Sequence, residues 1–134
     1  MNIPKIYSNL KKLHRLENIS IFITCVILHF MNVLVFLKIN NSSLHYFFSC
    51  YFDDLLAPIL LLSYVNLLLS IYNKKLYTLR YLILFILLVS IVWEYLVVYI
   101  KPDSVSDPFD ILCYVLGTII YWIIHTKWNH NTKI

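Results

Sequence analysis

Glycine occurs once in this chain of 134 residues, as Gly117, so a glycine-rich loop that could cradle phosphates is excluded. Charge is sparse too: Asp, Glu, Lys and Arg supply 13% of the residues, about half of the roughly 25% usual in soluble domains. Cysteine appears three times, as Cys25, Cys50 and Cys113, with no C-x-x-C pair and no zinc-type spacing. Three free thiols are the simplest reading, although Cys50 and Cys113 are expected on the same side of a membrane, where an oxidising compartment would allow them to pair. An H-E-x-x-H motif is absent, as is a nucleophile and base on any recognisable pattern, which argues against an enzyme.

What is present in quantity is apolar surface, with 60% of the residues hydrophobic. A hydrocarbon core about 30 Å thick takes roughly 20 apolar residues in a helix. Four runs come close, at about residues 19–37, 54–72, 80–100 and 109–125. The expected fold is therefore all-α: a polytopic membrane protein whose four transmembrane helices form a bundle of two hairpins, after a basic N-terminal segment over 1–18. The longer loops, 38–53 and 101–108, are too short for another domain, so 1–134 reads as one membrane domain. The first apolar run has a basic flank but is long and ends without a small-residue cleavage site, so it is expected to stay as a helix.

Charge gives this bundle a direction. Of the eleven Lys and Arg residues, nine lie before the first helix, between the second and third, or after the fourth. By the positive-inside rule both termini are then cytoplasmic. Five of the seven acids, Asp53, Asp54, Asp103, Asp107 and Asp110, fall on the opposite side. Topology alone accounts for the basic residues behind the net charge of +4, so nucleic acid is not expected as a partner; the lipid bilayer is.

Polar residues in the spans recur at helical spacing, which marks the inner faces of a bundle. The stripes are Cys25, His29 and Asn32; Ser63, Asn66, Ser70 and Asn73; Ser90 and Glu94; and Asp110, Tyr114, Gly117 and Tyr121, with His125 close to the last line. Most of the Ser and Asn positions read as hydrogen-bonding glue between helices, and Gly117 as a point of close helix approach. Glu94 is different, because an ionisable side chain inside a span costs a few kcal/mol on insertion scales and is by default a functional residue.

A rise of about 1.5 Å per residue puts Asn32, Glu94 and Tyr114 at one level, with His29 just below and Asp53, Asp54 and Asp110 a turn or two above. This predicts an acidic funnel open to the outside and floored by Glu94 and His29. Pro58 has no N–H, so the Asp54 carbonyl loses its helical donor and adds a free acceptor beside the carboxylates. Such oxygen ligands suit Mg2+ or Ca2+, or an organic ammonium group. The expected ligand-binding set is Glu94, Asp110, Tyr114, Asp53, Asp54 and His29, with Glu94, Asp53 and Asp54 as the metal ligands. Helix capping also explains Asp107, with Pro108 at N1 and Asp110 in the first turn.

The second half resembles the VanZ-like family of small membrane proteins. "SIVWE" supplies the family's serine and glutamate as Ser90 and Glu94, and "DILCYVLG" supplies Asp110, Tyr114 and Gly117. Tyr114 stands where the family usually has Asn, and Val97 where a Gln often follows the glutamate. The chain is also similar to a group of small Bacteroidota proteins often labelled magnesium citrate secondary transporters, through "YFDDLLAPILL" and "FDILCYVLGTIIYW". The resemblance implies a bacterial inner membrane protein.

Three functions compete on these grounds. One is a protein that binds a cation, or a headgroup bridged by a cation, in the acidic outer-leaflet pocket. Another is a subunit of a metal or metal-citrate transporter, in which a homo-oligomer encloses the path; acidic side chains attract magnesium but repel free citrate. The last is a structural subunit of a larger envelope complex.

Overall fold

The structure is a computed structural model that describes residues 3–100 and 108–131; the side chains of 3–11, Glu94, Val97, Val98, Pro108 and 129–131 lie outside the description. The described residues form helices joined by short turns: α1 (Ile3–Leu34), α2 (Ser42–Cys50), α3 (Phe52–Ile71), α4 (Leu79–Ile100) and α5 (Pro108–Asn131), with a single 3-10 turn at Phe36–Lys38. Lys12–Lys38, Ser42–Ile71 and Phe109–Trp128 are long and apolar enough to cross a membrane, and Leu79–Trp93 is a shorter apolar helix.

Two departures from expectation have local causes. The basic segment 1–18 is not separate from the first span, because α1 runs unbroken for 32 residues. Pro4, in its first turn, is tolerated there, and no other Pro or Gly interrupts the helix. At about 1.5 Å per residue such a helix is roughly 48 Å long and overshoots a hydrocarbon core of about 30 Å. The expected loop over 38–53 holds α2 instead. Asn41 caps it, its side-chain oxygen accepting from the N–H groups of Ser43 at 3.2 Å and Leu44 at 3.4 Å. Leu44, Phe47, Phe48 and Tyr51 then follow at helical spacing. Phe48 packs on Phe36 and Phe52 with ring centroids 4.6 and 5.2 Å apart, and Asn32 on α1 donates to the Phe48 carbonyl at 3.0 Å.

At the other end α3 stops where Asn73 turns left-handed at φ 58°. Lys74 N–H reaches back to the Leu69 carbonyl at 2.9 Å and Asn73 N–H to Ser70 at 3.3 Å, the Schellman arrangement in which Asn replaces the usual Gly. In space α1 packs on α3, α3 on α5, and α4 on α5. The two expected hairpins, α1 with α3 and α4 with α5, thus join along α3 and α5.

The α3 and α5 backbones meet at Gly117. A Cβ there would lie 2.3 Å from the Leu55 carbonyl oxygen and 2.5 Å from Pro58 Cγ, so only glycine fits.

Sidedness of burial is the strongest statement of environment. His14, Glu17, Asn18, Asn32, Asn66, Thr118 and His125 are buried, whereas Ile23, Ile27, Phe30, Leu84, Leu88, Trp93 and Leu116 are exposed. A helical bundle that hides polar side chains and shows large apolar ones is built for lipid.

Candidate functional sites at the two ends of the bundle

The starts of α3 and α5 lie side by side and carry Asp53, Asp54 and Asp110 in their first turns. Successive helical residues point about 100° apart, and the two adjacent aspartates accordingly address different helices. Asp53 pairs with His29 on α1, Nδ1 to Oδ1 3.0 Å, with both side chains about half exposed. Asp54 accepts from the Tyr114 hydroxyl on α5 at 3.4 Å and lies within electrostatic reach of Asp110 as well as Asp53.

Below this acidic group a cleft of about 290 Å³ opens between α3, α4 and α5. Ala57, Pro58 and Leu61 form one wall and Ile86, Val89, Ser90 and Trp93 the other, while Tyr114 joins the cleft to the aspartates. Its surface is almost wholly apolar; the Ser90 hydroxyl donates to the Leu87 carbonyl of its own helix. Of the expected site, the structure therefore gathers Asp54, Asp110 and Tyr114, with Asp53 and His29 as a flanking pair. Glu94 belongs to α4 one turn beyond Ser90, and its side chain, with Asp103 and Asp107, lies outside the described residues.

The polar stripes divide on inspection. Asn66 is interhelical glue: its amide donates to Tyr121 Oη at 2.9 Å and to the Leu76 carbonyl at 3.0 Å, and its oxygen accepts from Leu76 N–H at 2.9 Å. Ser63 and Ser70 instead donate to carbonyls three residues back, at 2.8 and 2.6 Å. The three cysteines are free thiols, Cys25 buried and Cys50 exposed.

The opposite end holds a second cluster, beyond the residues expected from the sequence. His14 and Glu17, three apart on one face of α1, meet His125 of α5. Glu17 Oε1 accepts from His125 Nδ1 at 2.5 Å, and Glu17 Oε2 lies 3.5 Å from His14 Nδ1. Tyr77, in the turn between α3 and α4, stacks on His125 with centroids 3.7 Å apart, and its hydroxyl lies against the ring nitrogens of His14. Asn18 and Tyr121 extend the network, with Tyr121 donating to Asn18 Oδ1 at 2.6 Å. Glu17 falls within the basic segment 1–18, which by composition reads only as a cytoplasmic flank; the H-x-x-E spacing of His14 and Glu17 on a helix is the signal that points to it. Comparison with protein-family models, with curated proteins and with solved structures finds no match for this chain.

Proposed function

We propose that this is a bacterial inner membrane protein of four spans, both termini cytoplasmic, related to the VanZ-like proteins, that binds an amphiphile or its bridging cation at the acidic end of the bundle. The observation that carries this reading is the junction at Tyr114: its hydroxyl touches Asp54 and its ring lines the apolar cleft. Asp54 and Asp110 hold a divalent cation or an ammonium group, oxygen ligands suiting a hard cation. The cleft below takes apolar chain, as ligand sites commonly combine an apolar pocket with a few placed polar groups. Ser90 lines the cleft from α4, and Glu94 follows it one helical turn later in the chain. The role is binding, with no catalytic residue assigned.

The test is unfolding of the detergent-purified protein with Mg2+, Ca2+, anionic lipid plus either ion, and an amino-headgroup lipid. A ligand held only by the folded form at 100 times its dissociation constant adds about 2.7 kcal/mol. Asp54→Asn and Asp110→Asn are expected to abolish that gain. An equal gain in both variants, or none in the wild type with any of these ligands, rejects the site. Stabilisation by the bare ion alone separates simple cation binding from recognition of a bridged headgroup.

A further inference from the structure

Glu17 is 1% exposed, and its Oε2 makes no hydrogen bond. Burial of a carboxylate oxygen without a hydrogen bond costs free energy. His14 Nδ1 lies 3.5 Å from that oxygen. One ligand atom from each of His14, Glu17 and His125 lies within 4.8 Å of the others, and all three side chains are buried. Bonds of about 2.0–2.1 Å in a tetrahedral site put ligand atoms roughly 3.4 Å apart, so modest side-chain adjustment lets one ion reach all three.

We infer that His14, Glu17 and His125 form a transition-metal site at the basic end of the bundle, distinct from the acidic end and independent of its function. Two imidazoles and one carboxylate select Zn2+ or another first-row transition ion over Mg2+ or Ca2+, which prefer oxygen ligands throughout. The surroundings point the same way. Lys12, Arg15 and Lys127 lie within two residues of these ligands in sequence, and Lys74 and Lys75 within three of Tyr77; Lys75 Nζ sits 5.8 Å from the Tyr77 ring centroid. A basic end does not concentrate hard cations by long-range attraction; strong local ligands must hold the ion.

The supporting shell is already built. Asn18 donates to the His14 carbonyl at 3.0 Å and faces its ring nitrogens at 3.2 and 3.4 Å. Tyr121 and Asn66 tie Asn18 to α3, and Asn66 grips both backbone polar groups of Leu76, the residue before Tyr77. One hydrogen-bonded chain thus orients the ligands of α1 and the turn bearing Tyr77, as outer-shell partners do in metal sites. Tyr77 covers His125 and brings its phenol beside His14, the position from which a fourth oxygen ligand can come.

The experiment is titration of the full-length, chelator-stripped protein in detergent with Co2+, read by visible absorption, and with Zn2+, read by competition and by bound-metal analysis. One equivalent with an intense d–d band is expected, displaced by Zn2+ and unaffected by Mg2+. Since loss of outer-shell partners alone weakens metal sites by about 10–100-fold, Glu17→Gln and His125→Gln are expected to weaken binding by at least about 100-fold. Asp54→Asn is expected to leave it unchanged, which separates this site from the acidic end. Absence of the one-equivalent band from folded wild type overturns the inference whatever the variants do. Undiminished binding in folded Glu17→Gln or His125→Gln also overturns it.

Discussion

Tyr121 is fully buried, and its hydroxyl stands between Asn18 on α1 and Asn66 on α3, donating to one and accepting from the other. Tyr121→Phe keeps the ring and removes both contacts. Interhelical hydrogen bonds within membranes average only about 0.6 kcal/mol, but this change strands Asn18 Oδ1 and one Asn66 amide hydrogen in the interior. The relevant magnitude is therefore the cost of an unsatisfied buried group, about 1–3 kcal/mol. Unfolding in mixed detergent micelles is expected to show a loss in that range; a change under about 0.5 kcal/mol would mean water replaces the hydroxyl. The sequence spacing puts Tyr121 on an inner polar line, and the structure buries it there. Its partners were not legible, because helix rotation about its own axis is unconstrained by spacing within a single helix.

Between elements, the α3 and α5 contact governs the acidic end. Glycine in a helix interior is about 1 kcal/mol less favourable than alanine, so propensity alone predicts that Gly117→Ala stabilises. Packing predicts the reverse, since the added carbon would meet the Leu55 carbonyl oxygen at 2.3 Å, and backbone cannot swing aside as a side chain can. Overpacking of this kind costs about 1–3 kcal/mol. A net loss of stability is expected on unfolding, together with weaker ligand stabilisation, because separating α3 from α5 draws Asp54 away from Tyr114. The need for Gly117 is visible in the sequence as the one missing side chain within a span. The backbone it admits is not, and neither is α2: the apolar run over 44–52 is too short for a span, so 38–53 reads as a loop, although the Asn41 cap and the aromatic spacing after it are in the sequence.

For the whole molecule, burial is inverted relative to a soluble bundle, and among the described residues Asp53, Asp54 and Asp110 stand at one end while Glu17 is buried at the other. Cys50 lies exposed beside the acidic end and Cys25 is buried, which makes sidedness measurable. With Cys25 and Cys113 replaced by Ser, a membrane-impermeant maleimide is expected to label Cys50 in intact cells, and a C-terminal fluorescent protein to fluoresce. Labelling only after permeabilisation would invert the topology and put the acidic cleft on the cytoplasmic side. The sequence by itself determined that the chain is helical and made for lipid, since hydrophobic run length and helical period are local properties. It also marked Asp54, Asp110 and Tyr114, because their spacing from the helix starts sets their level. Only the tertiary structure decided which side chains meet: that adjacent Asp53 and Asp54 part company, and that His14 and Glu17 find His125 more than a hundred residues away. Such meetings depend on how helices rotate and which of them pack, and those are set by interlocking of whole surfaces.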